Sequence, residues 1–206
     1  MKYLHEIPHI RTGLETLLAE DRVFKKLSVR PEDLSWRYTA PGYDSLVRIV
    51  IGQQVSTKAA QSIWEKFKKE LRSVTPVRVM AMADEDLRAL GLSGQKVRYI
   101  RGLSEAIIDK SFKPTALEKM KDEDVYEAIT ALKGFGRWSA EMYLMFSLAR
   151  PDVWPAGDLG IQEGLRLYHK REERPDAEEV MKMGKKFAPH RTAASVLLWY
   201  IKDKGI

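Results

Sequence analysis

Residues Ile129–Phe146 read ITALKGFGRWSAEMYLMF. One apolar helical repeat, Val125, Ala128, Ile129 and Leu132, stops at Leu132. A second, Ala140, Tyr143, Leu144 and Leu148, begins a few residues later. Between them stand two glycines at a spacing of two, Gly134 and Gly136. Glycine admits positive φ and leaves backbone N–H groups uncovered. Those N–H groups, with the start of the next helix, form an outward-facing anion site. Lys133 and Arg137 flank it with point charges, and Ala140 is small enough for the two helices to cross closely. A phosphate can be gripped this way without a base being read. The plainer reading of a G-x-G is a tight helix–helix turn.

Helical periodicity extends outward from this hairpin in both directions. Leu46, Val47, Val50 and Ile51 form a stripe; so do Ala60, Ile63, Trp64, Phe67 and Leu71, and Val97, Ile100, Leu103 and Ile107. Period-two alternation is absent over any useful length. About ten short helices are expected, an all-α fold, with Ser56, Asp84 and Asp122 as helix N-caps. A helix over Ala140–Ala149 is apolar nearly all round and is expected to lie between two lobes, one about 41–150, the other 1–40 with 151–206. The last helix, Arg191–Lys202, buries Ala193, Val196, Leu197, Tyr200 and Ile201. Trp199 lies off that stripe, so it either packs a second element or lines a cavity.

The chain has 206 residues, 35 Lys+Arg against 29 Asp+Glu, a net charge of +6 and no cysteine. A chain of this size buries roughly 70% of its unfolded surface, enough for a core without disulfides. Absence of cysteine excludes a disulfide scaffold, a cysteine nucleophile, a cysteine zinc site and an iron–sulfur cluster. No apolar run approaches the roughly 18 residues of a membrane span, and MKYLHEIPHI (Met1–Ile10) has no apolar signal core. A pI near 9.4 points to a polyanionic partner as readily as to an inert basic surface. KKFAPHR (Lys185–Arg191) is a solvated basic face or a DNA-backbone contact. GLSG (Gly91–Gly94) reads as a degenerate second hairpin with Lys96 and Arg98 nearby. His5, His9, His169 and His190 show no metal-ligand spacing.

Downstream of the hairpin, RPDVWPAGD (Arg150–Asp158) is a Gly/Pro-rich loop ending at an aspartate that opens a helical pattern through Ile161, Leu165 and Tyr168. Asp158 is an N-cap on this reading, and an N-cap aspartate stays ionised because helix N–H groups and dipole favour its charge. Ionised is also the state that a glycosidic cleavage site needs, since its transition state resembles an oxocarbenium ion.

The hairpin resembles the helix-hairpin-helix DNA-binding motif. Hairpin, Gly/Pro loop and aspartate in this order resemble the HhH-GPD superfamily of DNA base-excision glycosylases. GFGRWSA (Gly134–Ala140), the loop to Asp158, GQQVS (Gly52–Ser56) and RTAASVLLWY (Arg191–Tyr200) resemble the bacterial 3-methyladenine DNA glycosylase II family. The likeness spans about Pro41 to Tyr200. It departs at the N-terminus, where larger members carry a mixed α/β domain that this chain is expected to lack.

The resemblance implies a role for each matching residue. Asp158 matches the catalytic aspartate. Gly134, Gly136 and Ser139 match positions whose N–H groups hold a DNA phosphate, beside Lys133 and Arg137. The carbonyls of Thr130, Leu132 and Phe135 match those that bind a monovalent cation, Na+ or K+, which bridges to that phosphate. Trp138 and Trp199 match walls of the base pocket, with Tyr200 and Leu159 beside it. Gln54 matches the wedge that fills the gap left by an extruded nucleotide; as a plain loop glutamine it would cap a helix.

The implied substrate is double-stranded DNA carrying alkylated purines such as 3-methyladenine and 7-methylguanine. Such bases are cationic, leave readily and stack on electron-rich rings by cation–π attraction of about 0.5–2 kcal/mol. The target is buried in the stack, so the nucleotide must be extruded, which costs a few kcal/mol. Bifunctional relatives place a Schiff-base lysine where this chain has Trp138, so a monofunctional hydrolytic enzyme is expected. It would need no cofactor and would act as a monomer, in the cytoplasm at the nucleoid or in the nucleus according to the host. A non-enzymatic helix-hairpin-helix module for damaged or distorted DNA is the competing reading.

Overall fold

Ridges of apolar side chains at helical spacing pack into eleven α-helices among the described residues, 2–206, of the computed structural model. They are α1 (Pro8–Glu20), α2 (Tyr43–Gly52), α3 (Thr57–Leu71), α4 (Pro76–Ala81), α5 (Asp84–Ala89), α6 (Gly94–Ile108), α7 (Asp122–Thr130), α8 (Arg137–Phe146), α9 (Leu159–Tyr168), α10 (Ala177–Gly184) and α11 (Arg191–Lys204). To the expected all-α architecture the structure adds a minimal ladder: β1 (Lys2–Tyr3) pairs antiparallel with β2 (Arg37–Tyr38). No helix among the described residues is long and apolar enough to cross a membrane.

Two compact units divide the chain: Met1–Thr39 with Leu144–Ile206, and Ala40–Tyr143. The second break falls inside α8, where the sequence reading puts it near residue 150. That reading also runs the helix on to Ala149. The helix ends at Phe146 instead, because Ala149 adopts a left-handed φ of 52° and Arg150 N–H turns back to Leu144 O at 2.9 Å.

In the discontinuous unit, α11 is the central element and α9 and α1 pack on it. Gly164 of α9 makes the first approach feasible: a Cβ there would lie 2.5 Å from Leu198 O. Ile161, Leu165, Val196, Leu197, Ile10 and Leu14 are buried around these contacts. In the continuous unit, α6 packs against α2, α4 and α5, burying Val97, Ile100, Leu103, Val79 and Leu87. Tyr43 and Ser104 share a buried hydrogen bond of 2.6 Å in this core.

Ser56 caps α3 as expected, accepting from Ala59 N–H at 3.2 Å. Asp84 and Asp122 do not act as caps; Ala83 and Lys121 hold those positions. Each aspartate instead opens a first turn of three acidic residues, whose charge complements the helix dipole.

Candidate active site and nucleic-acid interface

The hairpin of the continuous unit consists of α7, a six-residue turn over 131–136, and α8. Gly134 sits at φ 90°, and a Cβ there would fall 2.2 Å from the Tyr99 ring of α6. Only glycine fits, for conformation and for space. Gly136 has no atom within 4 Å of where its Cβ would be. Neither glycine N–H has a backbone partner among the described residues.

Gln53, at the end of α2, secures the turn. Its side-chain amide donates to Gly134 O at 2.8 Å and to Ser139 Oγ at 3.2 Å. Ser139 is 1% exposed and its N–H donates to Gly136 O at 2.9 Å, so in this structure that N–H is engaged within the turn. Phe135 is buried and anchors the tip through its N–H to Leu132 O at 3.0 Å. Lys133 is exposed. Arg137 is not simply a solvated charge: its Nε donates to Glu141 at 3.0 Å, and its guanidinium lies 4.8 Å over the Tyr126 ring. Glu141 is 2% exposed and Arg137 68%, so a buried carboxylate fixes an exposed cation. Trp138 is half-buried. Gln54 protrudes between α2 and α3, exposed and at a left-handed φ of 53°.

GLSG also forms a turn between helices, joining α5 to α6, with Gly91 at φ 105° and Ser93 capping α6. Its Lys96 ammonium donates to Ile51 O at 2.7 Å, closing the C-terminus of α2.

In the other unit, a pinned loop delivers Asp158. Thr192 bonds it three times: Oγ to Arg150 O at 2.6 Å, N–H to Pro151 O at 3.1 Å, and Val153 N–H to Oγ at 3.1 Å. Arg191 clamps Asp152 with two bonds of 2.7 Å. Burial pushes the Asp152 carboxyl up, but the Arg191 side chain, its N–H and its charge, with His190, hold it below its ordinary range. Trp154 donates to Val180 O at 2.9 Å, seated against Gly184. The basic stretch ending at Arg191 is therefore partly committed within its own unit: Arg191 to Asp152, and Lys186, though exposed, over the Tyr168 and Phe187 rings.

Asp158 caps α9, its Oδ1 accepting from Ile161 N–H at 2.9 Å. The same oxygen accepts from the Trp199 indole Nε1 at 2.9 Å. Trp199 is 6% exposed. Its ring centroid lies 4.9 Å from Trp36 and 5.9 Å from Phe146, and those two are 5.7 Å apart. Trp199 thus packs other elements, the first of the two alternatives its sequence position left open. Trp36 and Phe146 are half-exposed, and Trp36, with Tyr200, lines a cavity of about 470 Å³ edged by Asp33, Asp203 and Lys204. Leu159 is 65% exposed beside the carboxylate.

Sequence reasoning missed Gln53, Trp36, Phe146 and Gly160. GQQVS and the D-x-G after the loop carried signals for the first and last. Trp36 lies in an irregular segment with no period to mark it. Among the described residues no group of three His, Cys, Asp or Glu side chains could hold a metal.

Comparison with known proteins identifies relatives of the chain. A model of the HhH-GPD superfamily base excision DNA repair proteins covers residues 47–190. DNA-3-methyladenine glycosylase 1 of Schizosaccharomyces pombe is 39% identical over 162 residues, 76% of this chain and 71% of that protein. Among solved structures, the 3-methyladenine DNA glycosylase of that yeast, in complex with abasic DNA, aligns with a TM-score of 0.80 at 33% identity, covering 93% of this chain and 97% of the other. A DNA-3-methyladenine glycosidase from Bacillus halodurans aligns with a TM-score of 0.73 at 30% identity, covering 98% and 93%. By the family match over residues 47–190 and by its relatives, the chain belongs to the HhH-GPD superfamily of base excision DNA repair proteins.

Proposed function

We propose that this protein is a DNA glycosylase of base excision repair that removes alkylated purines, 3-methyladenine and 7-methylguanine among them. It turns the nucleotide out of the duplex and hydrolyses the N-glycosidic bond. The observation that carries the reading is Asp158, a carboxylate at the head of α9 held by Ile161 N–H and Trp199 Nε1 beside three packed rings. Relatives at 39% and 33% identity named as 3-methyladenine glycosylases support the substrate class.

An alkylated purine carries a positive charge on its ring. When the bond from C1′ to the base nitrogen breaks, its electron pair neutralises that charge and the base leaves without protonation. Positive charge then develops on the sugar, where the Asp158 carboxylate stabilises it. Water bonds to C1′ and its proton passes to the carboxylate. The N–H groups of Gly134 and Gly136, with Lys133, hold a phosphate of the bound strand, and Gln54 fills the gap in the duplex. Trp138 and Tyr200, with Leu159, serve as surfaces for the extruded base.

Trp138 stands where a lyase of this family has lysine, so no Schiff base forms and the product is an abasic site in an intact strand. The carbonyls of Thr130, Leu132 and Phe135 suit an alkali cation such as Na+ or K+, being neutral hard oxygens. Leu132 O already accepts from Phe135 N–H, and a carbonyl keeps a second lone pair. Thr130 closes α7, where carbonyls lack partners within the helix. A cation there would add charge next to the phosphate. No other cofactor enters the reaction. The protein acts as a monomer on double-stranded DNA, in the compartment that holds the genome.

The test is release of bases from methylated DNA, separated and identified by chromatography. The parent releases methylated purines, whereas Asp158→Asn binds damaged DNA and releases none. Release by Asp158→Asn at the parent rate defeats the mechanism. A parent protein that binds damaged DNA and releases nothing is a non-enzymatic module. Borohydride trapping of a covalent DNA adduct would overturn the monofunctional assignment.

A further inference from the structure

A helix needs one acceptor at its N-cap, and the bond from Ile161 N–H to Asp158 Oδ1 satisfies that need. The second donor on the same oxygen, Trp199 Nε1 at 2.9 Å, adds nothing that α9 requires. Space has nonetheless been kept for it. A Cβ at Gly160 would lie 2.7 Å from Trp199 Cδ1, 2.8 Å from Nε1 and 2.9 Å from Asp158 Oδ1. The donor is also rigid. Its ring is buried and packed against Trp36 and Phe146, so the indole cannot swing away from the carboxylate. A ring enclosed to this degree offers little open face for stacking a base.

We propose that Trp199 is a positioning residue. Its indole N–H fixes the plane of the Asp158 carboxylate for the developing sugar cation, and Gly160 leaves the opening through which the bond passes. Trp36, half-exposed, backs the indole. Orientation set before the reaction matters because a carboxylate that must turn into place loses much of its stabilising effect. This inference rests on the reading of Asp158 as the group that stabilises that cation.

Trp199→Phe keeps a ring in the cluster and removes the donor. Its kcat for release of 7-methylguanine from methylated DNA should fall roughly ten- to a hundredfold, the range for losing a hydrogen bond to a charged group. KM and affinity for the same DNA should stay within about twofold, since bonds felt only in the transition state move kcat. A base-stacking wall would give the opposite split. Gly160→Ala forces a methyl group between the indole and the carboxylate, so the two must part, and it should lower kcat by a similar factor. The double variant should be no worse than the more impaired single, because both act through one bond. Parent-like kcat in Trp199→Phe, or costs that multiply in the double variant, overturns the proposal. If Asp158→Asn is inactive while Trp199→Phe is fully active, only the positioning role fails. If Asp158→Asn keeps parental activity, the reading of Asp158 fails and this role with it.

Discussion

The side-chain amide of Gln53 reaches across from the end of α2 to donate to Gly134 O at 2.8 Å and to Ser139 Oγ at 3.2 Å. One side chain therefore ties both the hairpin turn and the start of α8 to a different helix. Gln53→Ala removes both bonds and leaves Ser139, 1% exposed, without this donor. The expected cost is about 1–3 kcal/mol, read as a lower midpoint in urea unfolding. DNA affinity should fall as well, because the turn loses its external brace. Unchanged unfolding and unchanged binding would show that the turn holds itself.

The two hairpin glycines should separate cleanly. Gly134→Ala places a methyl group 2.2 Å from the Tyr99 ring at a φ of 90°, a strain of about 1–3 kcal/mol from the backbone alone. Its thermal midpoint should drop. Gly136→Ala meets nothing within 4 Å and should melt like the parent. If the proposed phosphate sits at this N–H, the added methyl crowds it, so affinity should fall equally for every duplex sequence. Fluorescence anisotropy with several duplexes decides this; parental affinity in Gly136→Ala removes the phosphate from that position.

Asp158 starts α9 as well as serving the proposed chemistry. Asparagine caps a helix about as well as aspartate, whereas alanine costs about 1 kcal/mol. Asp158→Asn should therefore be inactive and nearly as stable as the parent, and Asp158→Ala inactive and less stable. Calorimetry on the two variants distinguishes them. Equal melting of both would mean that the N-cap bond contributes little.

Acid should loosen the loop before Asp158. The Asp152 carboxyl is raised by burial, but the opposing pull of Arg191 and His190 leaves it net below its ordinary value. A carboxyl depressed in the folded state adds stability above its unfolded value of about 3.9. That stability is lost as pH falls through the folded value. Arg191→Gln should thus melt below the parent at neutral pH, with the gap narrowing once pH drops under about 4. A gap that fails to narrow as pH falls well below that value would mean the ion pair contributes nothing.

The amphipathic helices were legible because each buries one stripe against a neighbour, and 3.6-residue periodicity records this directly. The hairpin and the capping aspartate followed from short-range patterns; the end of the α11 stripe did not, since Trp199 is buried and Tyr200, expected in the core, is half-exposed beside a cavity. Three other things were not legible. Asp84 and Asp122 look like caps, yet a cap is decided by the dihedrals of the residue before the helix, and a run of acids blurs that boundary by one position. Gln53 and Gln54 are adjacent and chemically identical; only the fold shows that one braces the hairpin while the other protrudes. Trp36 contacts Trp199 across more than 160 residues, a separation that no local pattern reports.

Helix α11 holds the loop at its first turn, through Arg191 and Thr192, and grips the carboxylate at which that loop ends two turns further on, through Trp199. It behaves like the beam of a caliper, with both jaws cut from one rod. A drift of the rod along its axis carries origin and tip together, so the reach of the acidic group is preserved even while its surroundings breathe.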